Sequence, residues 1–216
     1  MLQLFATDDA IFRHPDLAAG VSVVSAKDAA ALSETVTPQG LVAVCRMRLS
    51  GVEELLARSP RLLVVMVEAG EPGNVGTIIR TADAAGADAV MLAGGADPFS
   101  GKAVRASSGS LFHLPLAETT VPDVLPRLRA AGIAALATTG AGTTDLDELA
   151  DSGTLADPTA WLFGSEAHGL PPEVIAGADR SVRVPLYGGA ESLNVAAAAA
   201  VCLYASARAQ RRPARG

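Results

Sequence analysis

Aromatic residues are scarce in this chain: five Phe, two Tyr and one Trp make up 4% of 216 residues. Its core must therefore be built from Ala, Val and Leu, a composition suited to helices packed closely on a parallel sheet. Cysteine is nearly absent. Cys45 and Cys202 both lie in apolar sequence, which predicts buried free thiols in a reducing compartment. Neither has a second Cys or a His at ligand spacing, so no metal site is expected. Long apolar runs are missing too. The most apolar stretch, 195–205, is short of the ~20 residues a spanning helix needs, and MLQLFATDDA lacks the basic and apolar regions of a signal peptide. A cytoplasmic protein with no membrane partner is the expectation. Positive charge is not in excess: the net charge of −6 argues against a protein that coats nucleic acid without specificity. It leaves room for a local basic patch. The tail holds Arg208, Arg211, Arg212 and Arg215, which on their own read first as a solvated, frayed terminus.

Half of the residues are hydrophobic, enough for one large domain with at most a small appendage. Residues 1–46 do not read as a complete unit. They hold short apolar pieces at 21–24 and 41–44 and a turn at Thr37-Pro38-Gln39-Gly40. Residues 47–60 read as a short helical link with Val52, Leu55 and Leu56 on one face. From 61 the pattern is regular, and 61–209 reads as one domain followed by a basic tail at 210–216. Strands are predicted at 62–67, 89–92, 111–116, 133–138, 161–163 and 181–185. Helices are predicted at 74–85, 102–108, 121–131, after Pro171-Pro172, and at 192–208. This alternation predicts an α/β fold, mostly parallel, with helices on both faces. Ligands in such sheets sit beyond the carboxyl ends of the strands, which directs attention to the loops there.

Three loops carry candidate chemistry. The first is Glu68-Ala69-Gly70-Glu71-Pro72-Gly73-Asn74-Val75-Gly76, with Arg80 on the helix that follows. Asn74 suits a helix N-cap. Arg80, six residues on, stands about 240° around the helix from it, so the two side chains have different jobs. The second is Trp161-Leu162-Phe163-Gly164-Ser165-Glu166-Ala167-His168-Gly169-Leu170, where glycines let main-chain groups approach a flat ligand and Glu166 accepts hydrogen bonds. His168 has no Ser or Asp at a recognisable spacing and reads as solvent-exposed. The third runs from Val184-Pro185-Leu186 through Tyr187-Gly188-Gly189-Ala190-Glu191 to Ser192-Leu193-Asn194-Val195. Ser192 suits the N-cap of an Ala-rich helix that is small and apolar almost all round, hence buried or against another chain. A dehydrogenase-type nucleotide site would require G-x-G-x-x-G, and Gly70-x-x-Gly73-x-x-Gly76 does not meet that spacing.

Asn74-x-Gly76-x-x-x-Arg80, Phe163-Gly164-x-Glu166-x-x-Gly169-Leu170, and Val184-Pro185 with Ser192-Leu193-Asn194-Val195 together resemble the three ordered motifs of the SpoU (TrmH-like) RNA methyltransferases of the SPOUT superfamily. The intervening Arg105-Ala106-Ser107-x-Gly109-Ser110-x-Phe112-x-x-Pro115 is similar to the same family, and the resemblance covers about 37–207. It implies a deep C-terminal trefoil knot, an exception to the rule that chains are unknotted. It implies S-adenosylmethionine held bent in that knot, with main-chain groups near Gly164, Val184 and Leu193 on the adenosine. Thr138, Thr139 and Gly140 would line the pocket, with Phe163, Glu166, Gly169, Leu186, Ser192 and Asn194 completing it. It implies a homodimer through the knot region and the last helix. The reaction implied is methylation of a ribose 2′-hydroxyl, in ribosomal RNA ahead of transfer RNA, without metal. A cofactor-binding RNA module without catalysis is the rival.

By the same resemblance the catalytic group is Arg80, Glu166, Asn194, Asn74 and Ser192, and Lys102, Arg105 and Ser107 touch RNA. A guanidinium stays protonated at ordinary pH and is a poor general base. Arg80 therefore reads as a fixed cation that stabilises a developing alkoxide and grips a phosphate. The family's N-terminal RNA-binding domain is longer than the segment 1–46, which reads as its remnant.

Overall fold

A continuous apolar run such as 62–67 is buried on both faces only if helices cover both sides of a sheet. The computed structural model, which describes residues 1–33, 35 and 37–211, has this arrangement. The chain divides after Arg48.

The first unit holds β1 (Gln3–Ala6), α1 (Asp8–Arg13), β2 (Ser22–Val23), α2 (Ala26–Leu32) and β3 (Leu41–Val44). Its sheet has the order β2-β1-β3, with β3 antiparallel to β1. Leu4, Ala6, Ala10 and Ala29 form its small buried centre. Thr7 and Ser25 cap α1 and α2 through their hydroxyls. Cys45 is exposed here, against the expectation of burial, because the apolar run ends at Val44, itself 45% exposed.

The second unit opens with α3 (Val52–Leu56), which buries Val52 and Leu55. Then come β4 (Leu62–Ala69), α4 (Pro72–Ala85), β5 (Ala89–Gly95), α5 (Gly101–Ser107), β6 (Leu116–Glu118), α6 (Val121–Ala130) and β7 (Ala134–Thr138). The remainder is β8 (Thr144–Asp145), α7 (Leu146–Asp151), β9 (Thr159–Phe163), α8 (Pro172–Gly177), β10 (Arg180–Arg183) and α9 (Val195–Arg211). Seven strands form one sheet, ordered β6-β5-β4-β9-β7-β10-β8, and every pairing in it is parallel.

Each face of this sheet has its own core. On one, alternate β4 residues Leu62, Val64 and Met66 pack with Ile78, Ile79, Trp161, Cys202 and Leu203. On the other, Leu63, Val65 and Val67 pack with Val52, Leu55, Val124, Leu128 and Val174. The period-2 alternation of a strand is satisfied by apolar residues at both phases. In a core of small side chains the one Trp is tied by a hydrogen bond: Trp161 Nε1 donates to Ser206 Oγ of α9 at 2.9 Å, with both residues buried. Gly76 lets α4 meet α5, since a Cβ there would stand 2.2 Å from the Ala103 carbonyl oxygen.

Three local expectations are corrected. Residues 111–116 are not a strand: Ser110–Phe112 form a 3-10 turn with Phe112 62% exposed, and pairing starts at Leu116. Helix α4 starts before Asn74, because Pro72 has a fixed φ suited to the first turn and Glu71 takes the cap. Helix α9 starts after Ser192, and Asn194 caps it by accepting from the Ala196 and Ala197 amides at 2.9 and 3.3 Å. Ala196, Ala199, Cys202 and Leu203 face inward, while Val201 and Tyr204 are 45% and 54% exposed. Of the basic tail, Arg208 and Arg211 sit in the last turn of α9; Arg212 and Arg215 lie outside the described residues.

Candidate active site

The carboxyl ends of β4, β9, β7 and β10 are neighbours, and the three sequence loops leave from three of them. Crossing ties hold the strand ends together. Thr138 Oγ1 donates to the Leu162 carbonyl at 2.7 Å, and the Thr139 amide donates to the Val182 carbonyl at 2.9 Å.

The loop after β4 leaves a strained strand end: Glu68 has φ +51°, a left-handed conformation that costs a non-glycine residue about 1 kcal/mol. Glu71 then caps α4, its Oε2 accepting from the Asn74 amide at 2.8 Å while Oε1 pairs with Lys102 Nζ. Lys102 first, then the Gly73 and Asn74 amides, hold the Glu71 carboxyl below the usual carboxylate range. The loop after β9 folds back on itself through paired Ser165–Gly169 main-chain bonds of 3.1 and 2.9 Å. Gly164 permits this fold, because a Cβ there would lie 2.1 Å from the Gly169 carbonyl carbon.

These three loops meet in a chain of side-chain hydrogen bonds. Asn74 Nδ2 donates to Glu166 Oε1 at 2.7 Å, and Asn194 Nδ2 donates to Asn74 Oδ1 at 3.2 Å. Residues 92 and 120 positions apart are thereby joined. Asn194 does two jobs, since its Oδ1 caps α9 while its Nδ2 holds Asn74. Arg80 stands outside this chain, exposed on α4, its side chain making no hydrogen bond or ion pair among the described residues. On the helix it falls in the stripe of Gly73 and Thr77. Ser192 is exposed and joins neither the chain of bonds nor a helix cap.

Beside these strand ends lies a cavity of about 430 Å³, walled by Leu146, Val184, Pro185, Leu186, Leu193 and Val201. Small-molecule sites span about 300–1,000 Å³ with mostly apolar walls. Val184, Leu186 and Leu193 are thus brought together. The wall does not include Thr138, Thr139, Gly140, Phe163, Gly164, Glu166, Gly169, Ser192 or Asn194. Phe163 is buried in the sheet core, so only its main chain is open to a ligand. Asp147 and Tyr187 also line the cavity. Tyr187 Oη donates to Asp147 Oδ2 at 2.5 Å, which pushes the phenol above its ordinary value of 10.0.

Of the RNA candidates, Lys102 and Arg105 are exposed on one face of α5. Ser107 is corrected: it is fully buried and its hydroxyl donates to the Val104 carbonyl at 2.8 Å, so it presents nothing to a nucleic acid. Glu71 and Tyr187 stand in candidate loops to which the sequence gives them no role, and Asp147 lies outside those loops. The acidic cap before Pro72 was a usable signal for Glu71. Nothing local marks the other two. His168 is exposed, with its amide donating to Ser165 Oγ at 3.2 Å. Among the described residues no group of His, Cys, Asp and Glu is arranged to hold a metal ion, and no helix is long and apolar enough to cross a membrane.

The chain is similar to proteins of one kind. Residues 61–204 match the SpoU rRNA Methylase family. The 23S rRNA (guanosine(2553)-2'-O)-methyltransferase RlmP of Bacillus subtilis is 40% identical over 192 residues, which is 88% of this chain and 74% of that protein. The tRNA (guanosine(18)-2'-O)-methyltransferase of Escherichia coli is 32% identical over 157 residues, covering 72% of this chain and 67% of that one. An AdoMet-bound rRNA methyltransferase from Sinorhizobium meliloti has the same fold, with a TM-score of 0.81 and 34% identity over 95% of this chain and 79% of its own. A matching family over most of the chain, a common fold, and the convergence of all three motif loops place it: the chain belongs to the SpoU rRNA methylase family.

Proposed function

We propose that this protein methylates a ribose 2′-hydroxyl in ribosomal RNA, with S-adenosylmethionine as the methyl donor. The observation that carries the reading is the bond chain Glu166–Asn74–Asn194, which unites the three motif loops at the carboxyl edge of the sheet. The apolar cavity fits the cofactor: Val184, Leu186 and Leu193 offer flat walls for an adenine. Main-chain groups at Gly164 and Gly169, with the Thr138–Gly140 turn, would hold the rest. When bound, S-adenosylmethionine supplies an electrophilic methyl group. The protein's own work is positioning and charge. Arg80 is unpaired among the described residues and exposed, so it is open to a phosphate and to the oxygen that gains negative charge. Asn74, Glu166 and Asn194 fix the loops that align the ribose, and alignment of this kind supplies much of the rate in a one-step displacement. Lys102 and Arg105 offer further phosphate contacts from α5. The similarity to both rRNA and tRNA enzymes leaves the tRNA as the second substrate, and the 23S relative's higher identity favours rRNA.

The reading extends to a homodimer, a knotted C-terminus and a cytoplasmic location, where the RNA is. The exposed stripe of Leu193, Val201 and Tyr204 on and before α9 is apolar surface of the kind a second copy covers. Helix α9 returns from β10 to pack on α4 and β9, as the closing segment of a knot would. Arg80→Ala tests the chemistry: it should bind S-adenosylmethionine like the parent by calorimetry and lose methyl transfer to ribosomal RNA. Parent-like turnover refutes the role. Val201→Arg tests the dimer, and a sedimentation mass equal to the parent's dimer would exclude that face.

A further inference from the structure

The segment 184–193 joins β10 to α9 and forms much of the cavity wall, through residues that include Val184, Leu186, Tyr187 and Leu193. Both of its ends are pinned. Before it, Arg183 Nη1 donates to the Gly142 carbonyl at 3.1 Å, and Arg183 Nε lies 3.4 Å from Asp145 Oδ2. After it, Asn194 caps α9. Between these anchors, among the described residues, the segment carries one hydrogen bond, from Tyr187 Oη to Asp147 Oδ2. The acceptor is firmly placed. Asp147 sits in the first turn of α7, whose capping box has Asp145 Oδ1 accepting from the Asp147 amide at 2.9 Å. The donor is on freer backbone, since Gly188 and Gly189 follow it with open space where a Cβ would be. Burial does not hold Tyr187 in place, because the residue is 87% exposed. Its hydroxyl does. Asp147 is also the one charged residue in a wall that is otherwise apolar or phenolic.

We propose that Tyr187 and Asp147 latch the segment 184–193 in place as a wall of the cofactor cavity and so set how long S-adenosylmethionine stays bound. The inference rests on the cofactor reading above and adds two positioning residues to it. The segment supplies most of the cavity wall, and moving it away from α7 breaks this one bond. Weakening the bond lowers the fraction of molecules with that wall in place, and apparent affinity falls by that fraction. The change appears mainly in the dissociation rate.

The test uses the full-length protein with Tyr187→Phe, Asp147→Asn and the double variant. Phe keeps the ring and removes the donor; Asn keeps the shape and weakens the acceptor. Cofactor Kd is read by calorimetry and release by stopped flow, with thermal midpoints confirming that each variant folds. Each single variant is expected to raise Kd and the release rate by a few-fold, up to roughly five-fold, as befits one solvent-exposed hydrogen bond. The double should be no worse than either single, because the same bond is lost once. The turnover deficit should fall on KM for the cofactor and be recovered at high cofactor concentration. In spectrophotometric titration, the tyrosine that ionises above the ordinary value should drop in Asp147→Asn. Parent-like binding and release by both singles, or additive losses in the double, overturns the latch alone. No binding of S-adenosylmethionine by the parent overturns the cofactor reading and the latch with it.

Discussion

Asn194 is asked to do two separable things, and substitution can divide them. Asn194→Ala removes the cap of α9 and the donor to Asn74 together. Loss of a good N-cap costs about 1 kcal/mol, within a range of about 0.5–2. For a domain of this size that lowers the thermal midpoint by roughly 2–4 °C. Asn194→Asp keeps an oxygen for the Ala196 and Ala197 amides, and its charge suits a helix N-terminus. It should unfold at or slightly above the parent's temperature. It cannot donate to Asn74. If the Asn74 amide turned to donate to the new carboxylate, its oxygen would face Glu166, so one of the two carboxylates stays unsatisfied whichever way it points. Methyl transfer should therefore fall at least about tenfold, equal to about 1.4 kcal/mol in the barrier. Calorimetric unfolding read beside transfer of labelled methyl to ribosomal RNA decides the matter. If the aspartate variant is as unstable as the alanine variant, or transfers methyl like the parent, the division of labour is refuted.

Other outcomes follow from single contacts. Ser206→Ala leaves Trp161 Nε1 buried without an acceptor and should cost about 1–3 kcal/mol, measured by denaturant unfolding through the emission of the one tryptophan. Gly164→Ala would drive a methyl into the Gly169 backbone, so the β9 loop must open; cofactor affinity by calorimetry should drop more than about tenfold, or roughly 1.4 kcal/mol. A thiol reagent should label Cys45 in the native protein and Cys202 only after unfolding. Burial pushes the Cys202 thiol up to about 12 from an ordinary 9.0, so the unfolded chain ionises first. Stability should then fall as pH climbs from 9 toward 12, by about 1.4 kcal/mol per unit, and Cys202→Ala should lack that slope.

What could be read in advance was what local chemistry fixes. The run 62–67 announces a strand buried on both faces, and the alternation of strands and helices announces the parallel sheet with two cores. The motif spacing pointed to Asn74, Glu166 and Asn194, which meet in space. Competition between near-equal neighbours was not legible. Ser192 and Asn194 are both good caps, and the backbone after Gly189 decides between them. Asn74 lost the cap of α4 to Glu71 because Pro72 starts the helix two residues sooner. Residues 111–116 are apolar enough for a strand, yet Gly109 at φ +94° turns the chain into a 3-10 segment first. Ser107 looked polar and available, but the packing of α5 turns it inward. Tyr187 and Asp147 are 40 positions apart, and only the tertiary fold introduces them.

The order of the strands also sets a timetable for synthesis. Strand β4 pairs with β5 on one side almost at once, but its other neighbour is β9, where Leu62 meets Thr159. A ribosome adding about 5–20 residues per second takes roughly 5–20 s to supply that partner. For all of that interval a nascent chain carries a bare edge made of Leu62, Leu63, Val64, Val65 and Met66, the kind of edge on which polypeptides aggregate. Chaperone dependence during translation should end when residue 163 clears the exit tunnel.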